Sequence, residues 1–160
     1  MKIFFAADHA GFNLKNALME HVRTLGFDVE DMGAFEHTLD DDYPDFVTPL
    51  AEKVAGEQEA MGIICAGSGQ GEAMCANRVQ GVRAAVFYGP RPMTDTLEIQ
   101  GGHSEAGYDS VILARKHNNA NVLSIGARFV AAGEADEAVR IFLHTPFSND
   151  ERHARRLAKY

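Results

Sequence analysis

Five short apolar runs, each followed by a stretch with helical spacing, divide this chain from end to end. Lys2-Ile3-Phe4-Phe5-Ala6-Ala7 is apolar at every position after the first, as a strand buried on both faces must be. Leu14, Leu18, Val22 and Leu25 then recur at steps of four, four and three, one stripe of an amphipathic helix, and Gly26 supplies its stop. Phe27 to Gly33 alternates like a strand with one wetter face, which suits an edge. The acidic stretch from Asp40 leads through Tyr43-Pro44 into a helix with Phe46, Val47, Leu50, Ala51 and Val54 on one side, and Pro44 fits its first turn. Met61 to Cys65 reads as a third strand, Arg83 to Tyr88 as a fourth and Asn121 to Gly126 as a fifth. Between the last two, Tyr108, Val111 and Ile112 share a helical face that ends at Lys116-His117-Asn118-Asn119. Ala138, Val139, Phe142 and Leu143 mark another helix, and the basic tail from Ser148 to Tyr160 reads as helical.

This alternation predicts an α/β fold of the doubly wound, Rossmann-like kind: a five-stranded parallel sheet with helices on both faces. A length of 160 residues, 46% of them hydrophobic, suits a single domain over 1–160. The pattern breaks only from Gly89 to Gly102, a connection longer than the usual two to six or so residues. It reads as an insertion, with a lid, a subunit contact and disorder all open.

A net charge of −8 sets the field of the whole molecule against a phosphate backbone, which excludes a general nucleic-acid binder. Local basic clusters can still hold a small phosphate. No segment approaches the roughly 20 apolar residues needed to span a bilayer, and no basic-then-apolar leader opens the chain, so no membrane is expected and the expected location is cytoplasmic. Cys65 and Cys75 lack CxxC spacing, which suggests neither a disulfide framework nor a zinc site. No metal and no cofactor is expected.

The third strand delivers Ala66-Gly67-Ser68-Gly69-Gln70-Gly71-Glu72, a loop with glycine at every second position and a carboxylate at its end. Glycines let the main chain approach a ligand closely, and a helix beginning near Gly69 points unpaired N–H groups and its positive dipole end at whatever sits there. An anion or a developing oxyanion is the natural guest. In parallel sheets ligands bind beyond the carboxyl ends of the strands, so Asp8-His9, the glycine loop and the segment after Ile125 should converge.

Asp8-His9-Ala10-Gly11, Asp41-Asp42-Tyr43-Pro44, Gly67 to Glu72, Ala76-Asn77-Arg78 and His117-Asn118-Asn119-Ala120-Asn121 follow one another in this order. Together they resemble the ribose-5-phosphate isomerase B family, which includes allose and galactose phosphate isomerases. The likeness runs from Met1 to about Tyr160, apart from the segment 89–102. It implies a metal-free interconversion of an aldose phosphate and its ketose through a cis-enediolate. Ribose 5-phosphate and ribulose 5-phosphate are the leading pair, with four- and six-carbon sugar phosphates as alternatives. In one branch of the family the base is a cysteine at the end of the third strand, in another a glutamate just after the glycine loop. Alignment on the loop puts Ala66 at the cysteine position. Cys65 falls one residue early, on the opposite face of the strand, so Glu72 is the expected base.

By the same resemblance, Ser68 bonds the reacting end of the sugar, and the amides of Gly67, Gly69 and Gly71 form the anion hole. His117 assists ring opening and Asn118 contacts the enediolate end. Asp8 and Tyr43 hold hydroxyls, and the phosphate meets His9, Arg128, Arg152, His153 and Arg156, with Arg155 left out. A homodimer or dimer of dimers is implied, with the active site at the subunit interface and some tail residues serving the neighbour.

Each residue also has a plainer reading. Glu72 alone could be an ordinary helix-start carboxylate, Asp8 a helix cap, His117 a cation at a helix C-terminus and the tail arginines a solvated face. Met74 and Cys75 read as core filling, and His103 has no partner at metal-ligand spacing. A dinucleotide site is disfavoured, because the glycines follow the third strand and lack G-x-G-x-x-G spacing. A non-catalytic sugar-phosphate sensor is the remaining rival. It should lack the base or the ring-opening histidine, and both are present.

Overall fold

The computed structural model describes residues 1–94 and 106–159. The part of the long connection from 95 to 102, His103 and Tyr160 lie outside the described residues.

Five parallel strands, β1 (Lys2–Ala7), β2 (Asp28–Asp31), β3 (Met61–Ala66), β4 (Ala84–Phe87) and β5 (Val122–Gly126), pair in the order β2-β1-β3-β5-β4. The helices are α1 (Phe12–Thr24), α2 (Pro44–Gly56), α3 (Gln70–Ala76), α4 (Asp109–Asn118), α5 (Ala132–His144) and α6 (Glu151–Leu157). The fold is the expected one, and β2 occupies the expected edge.

The strand pleat divides the core into two layers. Ile3, Phe5 and Ala7 of β1 and Met61, Ile63 and Cys65 of β3 face α1, α4 and α5, with Leu18, Val22, Val111, Val139 and Phe142. Phe4, Ala6 and Ile64 face the other way, onto Val47, Leu50, Ala51 and Val54 of α2 and Ala76 of α3. Full burial of side chains such as Phe4 and Phe5 contributes about 1.5–3 kcal/mol each. Continuous apolar strands are what a sheet covered on both faces requires.

The direction of winding reverses between β1 and β3. The first crossover carries the chain from β1 outward to β2, and the next returns it to the other side of β1. The ends of β1 and β3 therefore flank the crevice where ligands of such sheets bind. At Gly11 the chain entering α1 passes so close to β3 that a Cβ there would lie 1.9 Å from the carbonyl oxygen of Cys65. Only glycine fits.

Lys15 is completely buried, its ammonium donating to Asp31 Oδ1 at 2.6 Å and to the Ala34 carbonyl at 2.7 Å. Pairing and hydrogen bonding are what make a buried charge tolerable, and here they tie α1 to the chain leaving β2. Met74 corrects an expectation: it is 67% exposed, whereas Cys75 does pack against the second layer. On so short a helix only one face reaches the sheet, and it is taken by Glu72, Ala73 and Ala76.

Candidate active site

The carbonyls of the glycine loop are taken up by the segment around β5. Ala66 O accepts from Ala127 N at 2.8 Å, Gly67 O from Arg128 N at 3.3 Å and Gly69 O from the hydroxyl of Ser124 at 2.7 Å. Gly69 has a left-handed φ of +72°, and α3 starts at the next residue. The loop amides thus lie at the unpaired N-terminal end of a helix, as the sequence implies.

Around this loop the structure gathers one group of expected residues. Asp8 accepts the Gly11 N–H through Oδ1 at 2.9 Å and the Gly67 N–H through Oδ2 at 3.5 Å, so it closes the turn that leads into α1 and also braces the loop. The guanidinium of Arg128 overhangs Gly67, where a Cβ would lie 2.9 Å from Arg128 Cζ, and the Tyr43 hydroxyl would lie equally close to a Cβ on Gly71. Ser68 Oγ accepts from Gln70 N at 3.4 Å. His9 Nδ1 pairs with Asp41 Oδ1 at 2.7 Å, and the Asp41 side chain is 7% exposed, which fixes the imidazole.

Glu72 sits in the first turn of α3, 5% exposed, and its Oε2 is buried without a hydrogen-bond partner. Burial is the main cause that raises its proton affinity above the ordinary glutamate value, and the Asp8 charge adds to it; its own backbone N–H and Arg128 work in the other direction. An unpartnered, inward carboxylate of raised basicity is costly for stability and typical of a group kept for proton transfer. Cys65, by contrast, is fully buried in the layer beneath α1, and burial pushes its thiol far above the ordinary range. A thiolate there is out of reach of neutral chemistry.

The second group of expected residues lies elsewhere. His117 and Asn118 close α4, which runs back from the carboxyl ends of the strands to the start of β5 at Val122. They stand at the amino edge of the sheet, roughly 15 Å from the glycine loop at about 3.3 Å of rise per strand residue. α6 is at the same edge, held where Ser148 N donates to Lys116 O at 3.1 Å. A cleft of about 290 Å³ there is lined by His117, Asp150, Arg152 and His153. His153 is 3% exposed, whereas Arg152 and Arg156 project into solvent. The single chain therefore carries two separated clusters, Asp8, His9, Tyr43, Ser68, Glu72 and Arg128 at one end and His117, Asn118, Arg152, His153 and Arg156 at the other.

Two residues have structural roles that the sequence did not assign. Ser124 is a lone hydroxyl in an otherwise apolar buried strand, which was the available signal, and Asp41 belongs to the Asp41-Asp42-Tyr43-Pro44 motif without a role of its own there. No cluster of metal-ligating side chains occurs among the described residues, and no described helix is long and apolar enough to cross a membrane.

A doubly wound sheet with this glycine loop and an inward glutamate defines a class, and sequence comparison agrees: the chain belongs to the ribose/galactose isomerase family, whose model matches residues 3–95 and 106–160. Its relatives carry a more particular name. Ribose-5-phosphate isomerase B of Mycobacterium tuberculosis is 35% identical over 157 residues, covering 98% of this chain and 86% of the relative. The probable ribose-5-phosphate isomerase B of Mycoplasma genitalium is 37% identical over 158 residues, covering 98% and 91%. The crystal structure of the Mycoplasma genitalium enzyme with bound ribulose-5-phosphate superposes with a TM-score of 0.84, covering 99% of this chain and 92% of the other. The family assignment and the fold follow the resemblance seen in the sequence.

Proposed function

We propose that this protein interconverts an aldose phosphate and its ketose, with ribose 5-phosphate and ribulose 5-phosphate as the substrate pair. Glu72 removes the proton from the carbon beside the carbonyl and returns it to the neighbouring carbon, through a cis-enediolate. The N–H groups of the loop from Gly67 to Gly71 hold the negative charge that develops on oxygen, and Ser68 bonds the same end of the sugar. Asp8 and Tyr43 take hydroxyls, while His9 and Arg128 meet the phosphate. The arginine fork suits a phosphate dianion. His117 opens the ring and Asn118 meets the enediolate end, both supplied by a second copy of the chain. Arg152 and Arg156 of that copy complete the phosphate site. In this arrangement a dimer is the smallest active unit.

The observation that carries this reading is the buried, unpartnered Oε2 of Glu72 beside the glycine loop. It is tested by assaying four-, five- and six-carbon sugar phosphates with wild type, Glu72→Gln and Cys65→Ala. Ribose 5-phosphate should turn over fastest. Glu72→Gln should lower kcat at least a hundredfold, about 2.7 kcal/mol in barrier, and Cys65→Ala should leave it nearly unchanged. Loss of turnover on Cys65→Ala alone would make the thiol the base, and tight binding without turnover of any sugar would favour a sensor. One observation keeps other sugar lengths in the panel: the family match skips 96–105, between β4 and the helix that bears His117.

A further inference from the structure

His117 does not stand alone at the amino edge of the sheet. The ring of His153, from α6, packs on it with centroids 4.1 Å apart and planes 33° from parallel. His153 is 3% exposed, and neither of its nitrogens faces open solvent: Nδ1 bonds Ser148 Oγ at 2.8 Å, and Arg152 Nη2 lies 3.5 Å from Nε2. Ser148 Oγ in turn accepts the N–H of Asp150, which fixes the start of α6. A group engaged in this way is poorly placed to receive a phosphate. It is well placed to hold its neighbour.

We propose that His153 is a positioning residue for His117 and not a phosphate contact: its buried, Ser148-anchored ring fixes the His117 imidazole by packing against it at a tilt. This rests on the isomerase reading for its purpose, since a ring-opening group must exchange a proton with a sugar hydroxyl. Positive charge this close to the His117 ring disfavours a proton on it. The charged groups facing the pair are Lys116 from α4, Arg152 from α6 and Asp150 at the start of α6, two cations against one carboxylate. His117 is accordingly displaced below the ordinary histidine value, by burial first, then by His153, then by Arg152, with Asp150 opposing. At neutral pH the pair keeps His117 free to accept a proton.

The test reads His117 directly. The imidazole signals of the unliganded protein are followed by NMR against pH in wild type and in His153→Phe, which preserves the stacked ring and its burial while removing the second titrating group. The His117 midpoint should lie below that of a free histidine in wild type and move upward in the variant. On ribose 5-phosphate, the pH dependence of kcat/KM assigned to His117 should move in the same direction, with KM for the sugar phosphate changed less than twofold. Should the phenylalanine fail to pack, His153→Asn supplies the same readout. An unchanged His117 midpoint overturns the proposal, as does a tenfold or greater rise in KM with an unmoved pH profile, which would make His153 a phosphate ligand. A midpoint that moves in a protein turning over no sugar phosphate supports the positioning of His117 by His153 and defeats the isomerase reading instead.

Discussion

Ser124 donates its hydroxyl hydrogen bond to the carbonyl of Gly69 at 2.7 Å, across the gap between β5 and the glycine loop. The hydroxyl is completely buried, and Gly69 is the residue whose left-handed backbone turns the loop into α3. One side chain from a neighbouring strand thus sets the angle at which the loop amides face the crevice. Ser124→Ala should leave that carbonyl with one hydrogen bond instead of two, since Ala73 N still donates to it at 3.1 Å, at a cost of about 0.5–1.5 kcal/mol in stability. On the proposed mechanism it should also lower kcat more than it raises KM, because the donors it aims act on the charge of the transition state. Denaturant unfolding and steady-state kinetics on ribose 5-phosphate check the two effects separately.

With Glu72 as the proposed base, stability and activity should respond oppositely to pH. Its folded-state proton affinity is raised, chiefly by burial, so the protonated form favours folding. The stability it contributes is fully present below the ordinary glutamate value near 4.5 and is lost as pH rises through the higher folded value. Glu72→Gln should therefore unfold at a higher temperature than wild type at pH 7–8, by about 2–4 °C for each kcal/mol recovered. The difference should vanish near pH 4, as seen by calorimetry across that range.

On the proposed mechanism activity should run the other way, since only the ionised carboxylate can accept a proton. In wild type kcat/KM should fall as pH drops, beginning above the range of an ordinary glutamate. A pH–rate profile with its acid limb at or below 4.5 would contradict a role for Glu72 as base.

Gly11 offers a test of the close approach between α1 and β3. A methyl group there would meet the backbone of Cys65 and Ala66, which cannot swing aside. Gly11→Ala should destabilise by about 3 kcal/mol or more, as overpacking against main chain does at the severe end. Gly26→Ala, at a helix end with no atom within 4 Å of the added group, should cost less, through its positive φ alone. Parallel urea titrations of the two variants give the comparison.

Two inactive variants should complement each other. Chains bearing Glu72→Gln and chains bearing His117→Asn, unfolded together and refolded in equal amounts, form mixed pairs as half of all dimers, each with one intact centre. About a quarter of wild-type activity should return if a two-fold dimer builds each site from both subunits. No recovery would place both residues in one chain's site.

Much of this architecture was legible from residues. β1 and β3 are apolar at nearly every position, and such strands belong only in a sheet covered on both sides. The loop from Gly67 to Gly71 announced its own backbone geometry, and the pleat puts the Cys65 side chain in the core layer beneath α1, on the face of β3 opposite to Ile64. Less was legible about convergence. His117 and Glu72 both lie in recognisable motifs, but nothing in a motif says at which end of a sheet it falls. That follows from the antiparallel run of α4 against the strands, which separates the two residues within one chain. Met74 misled because helical spacing marks a face without saying whether another element covers it. Ser124 was hidden because a single hydroxyl in an apolar strand carries no periodic signal.

The separation of Glu72 from His117 has a consequence for the protein at work. If each centre draws half its groups from a neighbour, an isolated chain is catalytically silent at both poles. Output per molecule then depends on how crowded the molecules are. Progressive dilution would extinguish turnover with a second-order onset, long before any chain unfolds.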